Sequence, residues 1–333
     1  MREVVGAERA HATLERALAS GRMSHAYLFT GPEGVGKTTM ALAFAQALLC
    51  PRRAPGATEP CGDCVSCRKV ASGNHPDLLI IEPLKEGSKE KFWITIEQLR
   101  DAERQIALEP FESERRVVII PRMRRIQEKS VNTLLKTLEE PPPSVTLILI
   151  ATEPSEVLPT VISRCQLTPF PPIAPGAIAR ALRERWSASE AEAARLAGLA
   201  CGSLGWAVRA HQDPEEAKER EEALKQIASL PSRPADERMR MAAALGSDNA
   251  SARRALDLWT VWWRDVTLAA SGAARLLTSG EPRAAAERVG PPIGPERARA
   301  FMASLLEAAG TLDVNANPRL LMENLALDVP LAR

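Results

Sequence analysis

The sequence predicts an α/β domain with a parallel sheet and a phosphate-binding loop, followed by regions made only of helices. Three observations carry this. Gly31-Pro32-Glu33-Gly34-Val35-Gly36-Lys37-Thr38 fits G-x-x-x-x-G-K-[ST], with an apolar run before it and a helical pattern after it. Apolar runs at Ala26–Phe29, Leu78–Ile81, Val117–Ile120 and Leu147–Ile150 alternate with helical patterns, as in a parallel sheet covered on both faces. Beyond Pro169, Pro171, Pro172 and Pro175 no strand-like alternation returns, and so many prolines cannot share one regular element.

The elements follow in order. Ala10, Leu14, Ala17 and Leu18 recur at helical spacing between Val4 and Ser20, and Gly21 ends the pattern. Ala26 to Thr30 is the first buried strand. The loop follows, then a helix to Leu49. Pro51 to Pro60 is a breaker-rich connection leading to Cys61-Gly62-Asp63-Cys64-Val65-Ser66-Cys67. His75-Pro76-Asp77 announces the second strand. Ile96 to Ala107 is amphipathic, and Val117 to Ile120 is the third strand. A long helix from about Gln127 stops near Glu140 at Pro141-Pro142-Pro143, and Thr146 to Ile150 is the fourth strand. Short helical patterns run from Ala177 to Val208 around a Gly202–Gly205 turn. From Pro214 the chain is rich in Ala, Leu, Arg and Glu, which suits helices. The expected domains are 1–170, 171–212 and 213–333.

Composition narrows the function classes. With 333 residues, 45% hydrophobic and 26% charged, the chain has enough material for two or three cored domains. A net charge of +1 provides no global field toward nucleic acid or membrane. No apolar run reaches membrane-spanning length, and Met1 to Gly6 lacks the apolar core of a signal peptide. A cytoplasmic protein is expected, with its six cysteines reduced or metal-bound.

The phosphate loop has a clear physical logic. Gly31, Gly34 and Gly36 let the backbone wrap a polyphosphate with its N–H groups inward, and the following helix presents its positive end to the same anion. Lys37 would reach the outer phosphates and the Thr38 hydroxyl would bind Mg²⁺, with Thr39 beside it in the first turn.

Cys61, Cys64 and Cys67 are spaced as two Cys-x-x-Cys turns, and the helix after the loop delivers Cys50 toward them. Four thiolates close a tetrahedral Zn²⁺ shell with no position for water, so a structural site of about residues 50–67 is expected, without metal catalysis. His75 is a substitute ligand on paper, but a turn residue before Pro76 is the simpler reading.

Together, the loop, the four-cysteine insert, Leu134-Leu135-Lys136-Thr137-Leu138-Glu139-Glu140-Pro141-Pro142 and Ser163-Arg164-Cys165 resemble the AAA+ subunits of the bacterial DNA polymerase III clamp loader. The resemblance runs from about Val4 to Val208, and the late Asn315-Ala316-Asn317-Pro318-Arg319-Leu320 also resembles the family. It implies an AAA+ domain with a zinc insert, a small helical lid domain and an all-α collar that oligomerises. The family has two kinds of member with this plan, the ATP-hydrolysing gamma/tau kind and the delta prime kind, whose well-known members do not hydrolyse ATP. In the first, the strand at Val117–Ile120 would continue into Asp-Glu, the acids that hold Mg²⁺ and orient water. Here those positions are Pro121 and Arg122, and the next carboxylate is Glu128, inside the helix. The ATPase also has Gly-Ser-Leu-Arg-Asp where this chain has Gly202-Ser203-Leu204-Gly205-Trp206, so the phosphate-touching Arg is absent. Thr152 fits the family's first sensor position.

The pattern is that of the delta prime kind. The sequence leaves open whether ATP and Mg²⁺ bind at all; if bound, they are held weakly or without hydrolysis. The resemblance implies that Arg164 reaches into a neighbour's ATP site, where a permanently charged planar guanidinium stabilises the γ-phosphate in transfer. It implies gamma/tau and delta subunits as ring partners, with the sliding clamp and primed DNA engaged through the complex and no membrane role. An ATPase of the gamma/tau kind, and a zinc-containing adaptor with another partner, are the competing readings. Trp259, Trp262 and Trp263 share a helix side with Leu256 and Val266 and are expected in a core. Cys165 is expected as a small buried apolar group. Arg122, Arg124, Arg125 and Lys129 form the densest basic cluster; a DNA-facing patch, a solvated face and an interface with acidic partners all fit it.

Overall fold

Five short strands pair in parallel at the centre of the first half of the chain. The structure is a computed structural model that describes residues 4–86, 89–90, 93–126, 128–274, 277, 281–313 and 316–331. The strands are β1 (Ala26–Thr30), β2 (Leu78–Ile80), β3 (Arg116–Ile120), β4 (Val145–Ala151) and β5 (Gln166–Pro169), in the order β2-β3-β4-β1-β5. The three inner strands are buried at every position, which is why they read as unbroken apolar runs. Register sets Ala26 against Leu147 and Thr30 against Ala151, while Ile120 faces Leu149.

The fifth strand is the one the sequence did not announce. Gln166–Pro169 buries only Thr168 and pairs along β1, with Thr30 opposite Pro169. An edge strand needs neither alternation nor a continuous ladder, and it tolerates a terminal proline.

Helices cover the sheet: α1 (Glu8–Ser20), α2 (Lys37–Leu49), α3 (Val65–Ala71), α4 (Ile96–Ile106), α5 (Glu128–Glu139) and α6 (Pro159–Ile162). Gly21 stops α1 in the left-handed conformation. Thr95 caps α4 in a reciprocal box with Gln98, which satisfies two otherwise orphaned N–H groups. On one face of the sheet Leu28, Val118, Ile120, Leu147 and Leu149 share a core with Leu99 and Ile106 of α4, Leu134 and Leu138 of α5, and Val161 of α6. Asp77 is fully buried beside β2 and accepts N–H bonds from Phe111, Glu112 and Ser113, with Arg116 at 3.5 Å. Burial raises its pKa, but these donors and Arg116 outweigh it and hold the carboxyl below its usual range.

The chain divides into two compact units, Met1–Ala177 with Gly202–Gly205, and Ile178–Cys201 with Trp206–Arg333. In the second unit every named element is a helix or a 3₁₀ turn. Trp259, Trp262 and Trp263, on the helix Asn249–Ala270, are each no more than 2% exposed, and Trp263 packs its ring 4.5 Å from that of Phe301. These tryptophans are core residues, as their spacing with Leu256 and Val266 predicts. Buried Arg238 donates to the carbonyls of Ala326, Leu327 and Val329 and so closes the end of the helix Pro318–Asp328. Among the described residues no helix is long and apolar enough to cross a membrane.

Candidate functional site

Parallel strands bring their C-terminal ends to one edge, and the candidate residues collect there. The phosphate loop leaves β1 at Gly31, whose N–H donates to the Thr152 carbonyl at 2.9 Å. This bond sets Thr152, just past the end of β4, beside the start of the loop. Gly31 has φ 143°, and a Cβ there would lie 2.0 Å from the Phe170 carbonyl oxygen, so only glycine fits. Gly36 precedes α2, and Thr38 and Thr39 are exposed in its first turn.

Lys37 is buried, and its ammonium is committed within the loop. It donates to the carbonyls of Gly31 and Pro32, the latter at 2.7 Å. Burial lowers its pKa to about 8; Glu33 and Glu156 pull it up and Arg124 pushes it down. The loop is tied at two further points. Gly205 N–H donates to Gly34 O at 2.8 Å, and Arg124 pairs with Glu33 at 2.9 Å. A Cβ on Gly205 would sit 3.1 Å from the Gly34 Cα, so the position where the ATPase pattern has Arg is packed directly on the loop.

Pro121 and Arg122 follow β3 at this same edge, immediately after the Ile120–Leu149 pair. The carboxylates that act on Lys37 are Glu33 and Glu156. Glu33 is paired with Arg124, and Glu156 accepts the Thr152 N–H at 2.8 Å. Both carboxylates thus have protein partners, and among the described residues no acidic pair of the kind a hydrolytic Mg²⁺ requires follows β3. Glu156 carries no motif, so sequence reading missed it; its place comes from the 3₁₀ turn Pro154–Glu156. In the basic cluster, Arg124 is spent on Glu33, and the Lys129 and Glu128 side chains lie outside the described residues, as does Asn315.

The four cysteines converge. Cys50 follows α2, Cys61 is exposed, Cys64 caps α3 and Cys67 lies in its first turn. Their sulfurs all lie within 4.8 Å of one another, with Cys50 to Cys61 at 3.6 Å and Cys61 to Cys67 at 3.9 Å. A tetrahedron of thiolates about 2.3 Å from Zn²⁺ has edges of roughly 3.8 Å, so the donor set fits. Burial raises the Cys64 pKa, but the Cys67 N–H and the neighbouring thiols outweigh it and bring Cys64 down to about 7.

His75 stays outside this shell. It is 3% exposed, its Nδ1 accepts the Asp77 N–H at 3.0 Å, and its Nε2 lies 3.0 Å from Ser66 Oγ. An accepting Nδ1 leaves the proton on Nε2, which donates to Ser66; Ser66 in turn donates to Leu49 O at 2.6 Å. Ser66 and Leu49 are the neighbours of Cys67 and Cys50, so this relay braces the peptides that carry two of the four cysteines. The turn reading of His75 therefore understates it. Burial lowers its pKa, in keeping with a neutral ring.

Arg164 follows α6 and is about a third exposed. Cys165 is half-buried against the sheet core, and burial raises its thiol pKa to about 11, so it is an inert apolar contact.

The comparisons with known proteins agree with this layout. A family model described as DNA polymerase III, delta subunit matches residues 6–174, half of the chain. DNA polymerase III subunit delta' of Bacillus subtilis (strain 168) is 34% identical over 212 residues, 64% of this chain and 61% of that protein. Subunit tau of the same organism is 38% identical over 176 residues, 53% of this chain and 30% of that protein. Subunit delta' of Pseudomonas aeruginosa is 38% identical over 179 residues, 53% of each protein. The matched stretch thus spans 61% or less of these relatives' own lengths.

Proposed function

The chain belongs to the DNA polymerase III delta-subunit family, and from that premise we propose that it is a delta-prime-type clamp-loader subunit that lends chemistry to a neighbour. In this reading it sits in a ring with gamma/tau and delta subunits in the cytoplasm. The ring loads the sliding clamp on primed DNA as part of the DNA polymerase III holoenzyme. Residues 171–212 serve as a lid and 213–333 as the oligomerising collar.

The observation that carries the reading is Pro121-Arg122 at the end of β3, beside an otherwise complete phosphate loop. Proline has no ligand atom in its side chain, and a guanidinium repels a divalent cation. Lys37 supports the same conclusion, because a triphosphate must first take it from two backbone carbonyls. Nucleotide at Gly31, Gly34, Gly36, Lys37, Thr38, Thr39 and Thr152 is therefore held weakly and not turned over. Arg164 supplies the in-trans finger: it is partly exposed and always charged, and it follows a short helix anchored in the core. Zn²⁺ held by Cys50, Cys61, Cys64 and Cys67 fixes the insert against α2 and does no chemistry.

The purified chain alone is expected to show no ATP turnover above background, while Arg164→Ala slows turnover of the reconstituted loader. Turnover by the isolated chain that disappears in Lys37→Ala would instead identify an ATPase of the gamma/tau kind.

A further inference from the structure

Arg164 is held by its own chain. Its Nη2 lies 2.7 Å from Glu139 Oε1, and its Nη1 lies 2.8 Å from Thr160 O and 3.3 Å from Ser163 Oγ. Glu139 is the last residue of α5, and Thr160 lies in α6. Both helices are anchored close to the pair: Leu138 and Val161 are buried in one core, with Leu135, Ile162 and Cys165 packed on it. The carboxylate and the guanidinium therefore project from a common rigid base.

We propose that Glu139 is a positioning residue for Arg164, fixing the guanidinium so that its remaining N–H donors meet a neighbouring subunit's triphosphate. The inference rests on reading Arg164 as the in-trans finger. A guanidinium has five N–H donors, and three contacts on the home chain leave others for phosphate. A free Arg side chain has many rotamers to lose, and a fork already oriented loses fewer of them on meeting phosphate. The side chains of Arg164 and Glu139 are 35% and 51% exposed. At that exposure an ion pair contributes little to stability, so its purpose is not to hold the fold.

The test uses the loader reconstituted with its ATPase subunits, comparing Glu139→Ala, Glu139→Gln, Glu140→Ala and Arg164→Ala by steady-state ATP turnover. Glu139→Ala is expected to lower kcat about three- to fivefold, with the KM for ATP unchanged. Glu139→Gln keeps an acceptor oxygen and restores most of the rate. Glu140→Ala removes the same charge one residue away and leaves the rate alone. Adding Glu139→Ala to Arg164→Ala produces no further loss, because the two residues act as one unit. Turnover at or above the parent rate in Glu139→Ala, or a loss that persists in the Arg164→Ala background, overturns the positioning role while leaving the finger intact. Unchanged turnover in Arg164→Ala removes the finger reading itself, and the positioning role with it.

Discussion

The phosphate loop and the Arg164 edge are both built from strong hydrogen-bond donors, yet one is turned inward and the other faces solvent. At the loop, Lys37 is 7% exposed and bonded to Gly31 and Pro32, Glu33 is paired, and Gly205 closes over Gly34. At the other edge, Arg164 keeps a fork of donors at a third exposure, held only by contacts worth little in water. A motif names the donors a chain possesses; the fold decides whether they are free. The more complete motif here belongs to the less available group.

Arg164→Ala breaks the comparison hardest. An in-trans finger is worth on the order of 10³-fold or more in phosphoryl-transfer rate, so the role proposed for Arg164 expects turnover at the neighbouring site to collapse in the reconstituted loader. Stability of the chain itself should change by no more than about 0.5 kcal/mol, measured by denaturant unfolding, because the residue is at the surface.

The four-cysteine cluster carries the next largest expected effect. Cys61→Ser should eliminate one equivalent of zinc by elemental analysis and destabilise the insert by several kcal/mol, read as a fall in Tm. Unaltered zinc content and Tm would remove Cys61 from the shell.

The inward-facing lysine sharpens the contrast through pH. A lysine whose pKa falls from 10.5 to about 8 on folding binds fewer protons in the native state than in the unfolded chain between those values. The cost of burying its charge is therefore fully present below about pH 8 and is relieved as pH rises toward 10.5. Its size is about 3 kcal/mol at roughly 1.4 kcal/mol per unit. The stability of the parent relative to Lys37→Met should rise over that window in urea titrations. A flat difference would mean that Lys37 is solvated and the loop open.

Gly205→Ala is the gentlest test. The added methyl lies 3.1 Å from the Gly34 Cα and must displace backbone, at a cost of about 1 kcal/mol in unfolding free energy. A neutral or stabilising result would mean that the loop yields easily at this point.

Much of this was legible from spacing. The three buried strands declared themselves because burial on both faces demands unbroken apolar residues. Cys61, Cys64 and Cys67 did so because ligand geometry is local. The edge strand Gln166–Pro169 did not, since pairing on one side asks little of its side chains. Glu156 was illegible as a site residue for a different reason. It reaches the loop edge from a distant position in the chain, and no local periodicity encodes that approach.

By itself the sequence determined which chemical groups this protein owns: a phosphate cradle without an acidic pair at Pro121-Arg122, four thiols at metal spacing, and one arginine in a Ser-Arg-Cys turn. Tertiary structure alone decided which of those groups are spoken for. Hydrogen bonding and ion pairing act over a few ångströms in space, and Gly205 on Gly34 and Glu139 on Arg164 are partners that only the returning chain supplies.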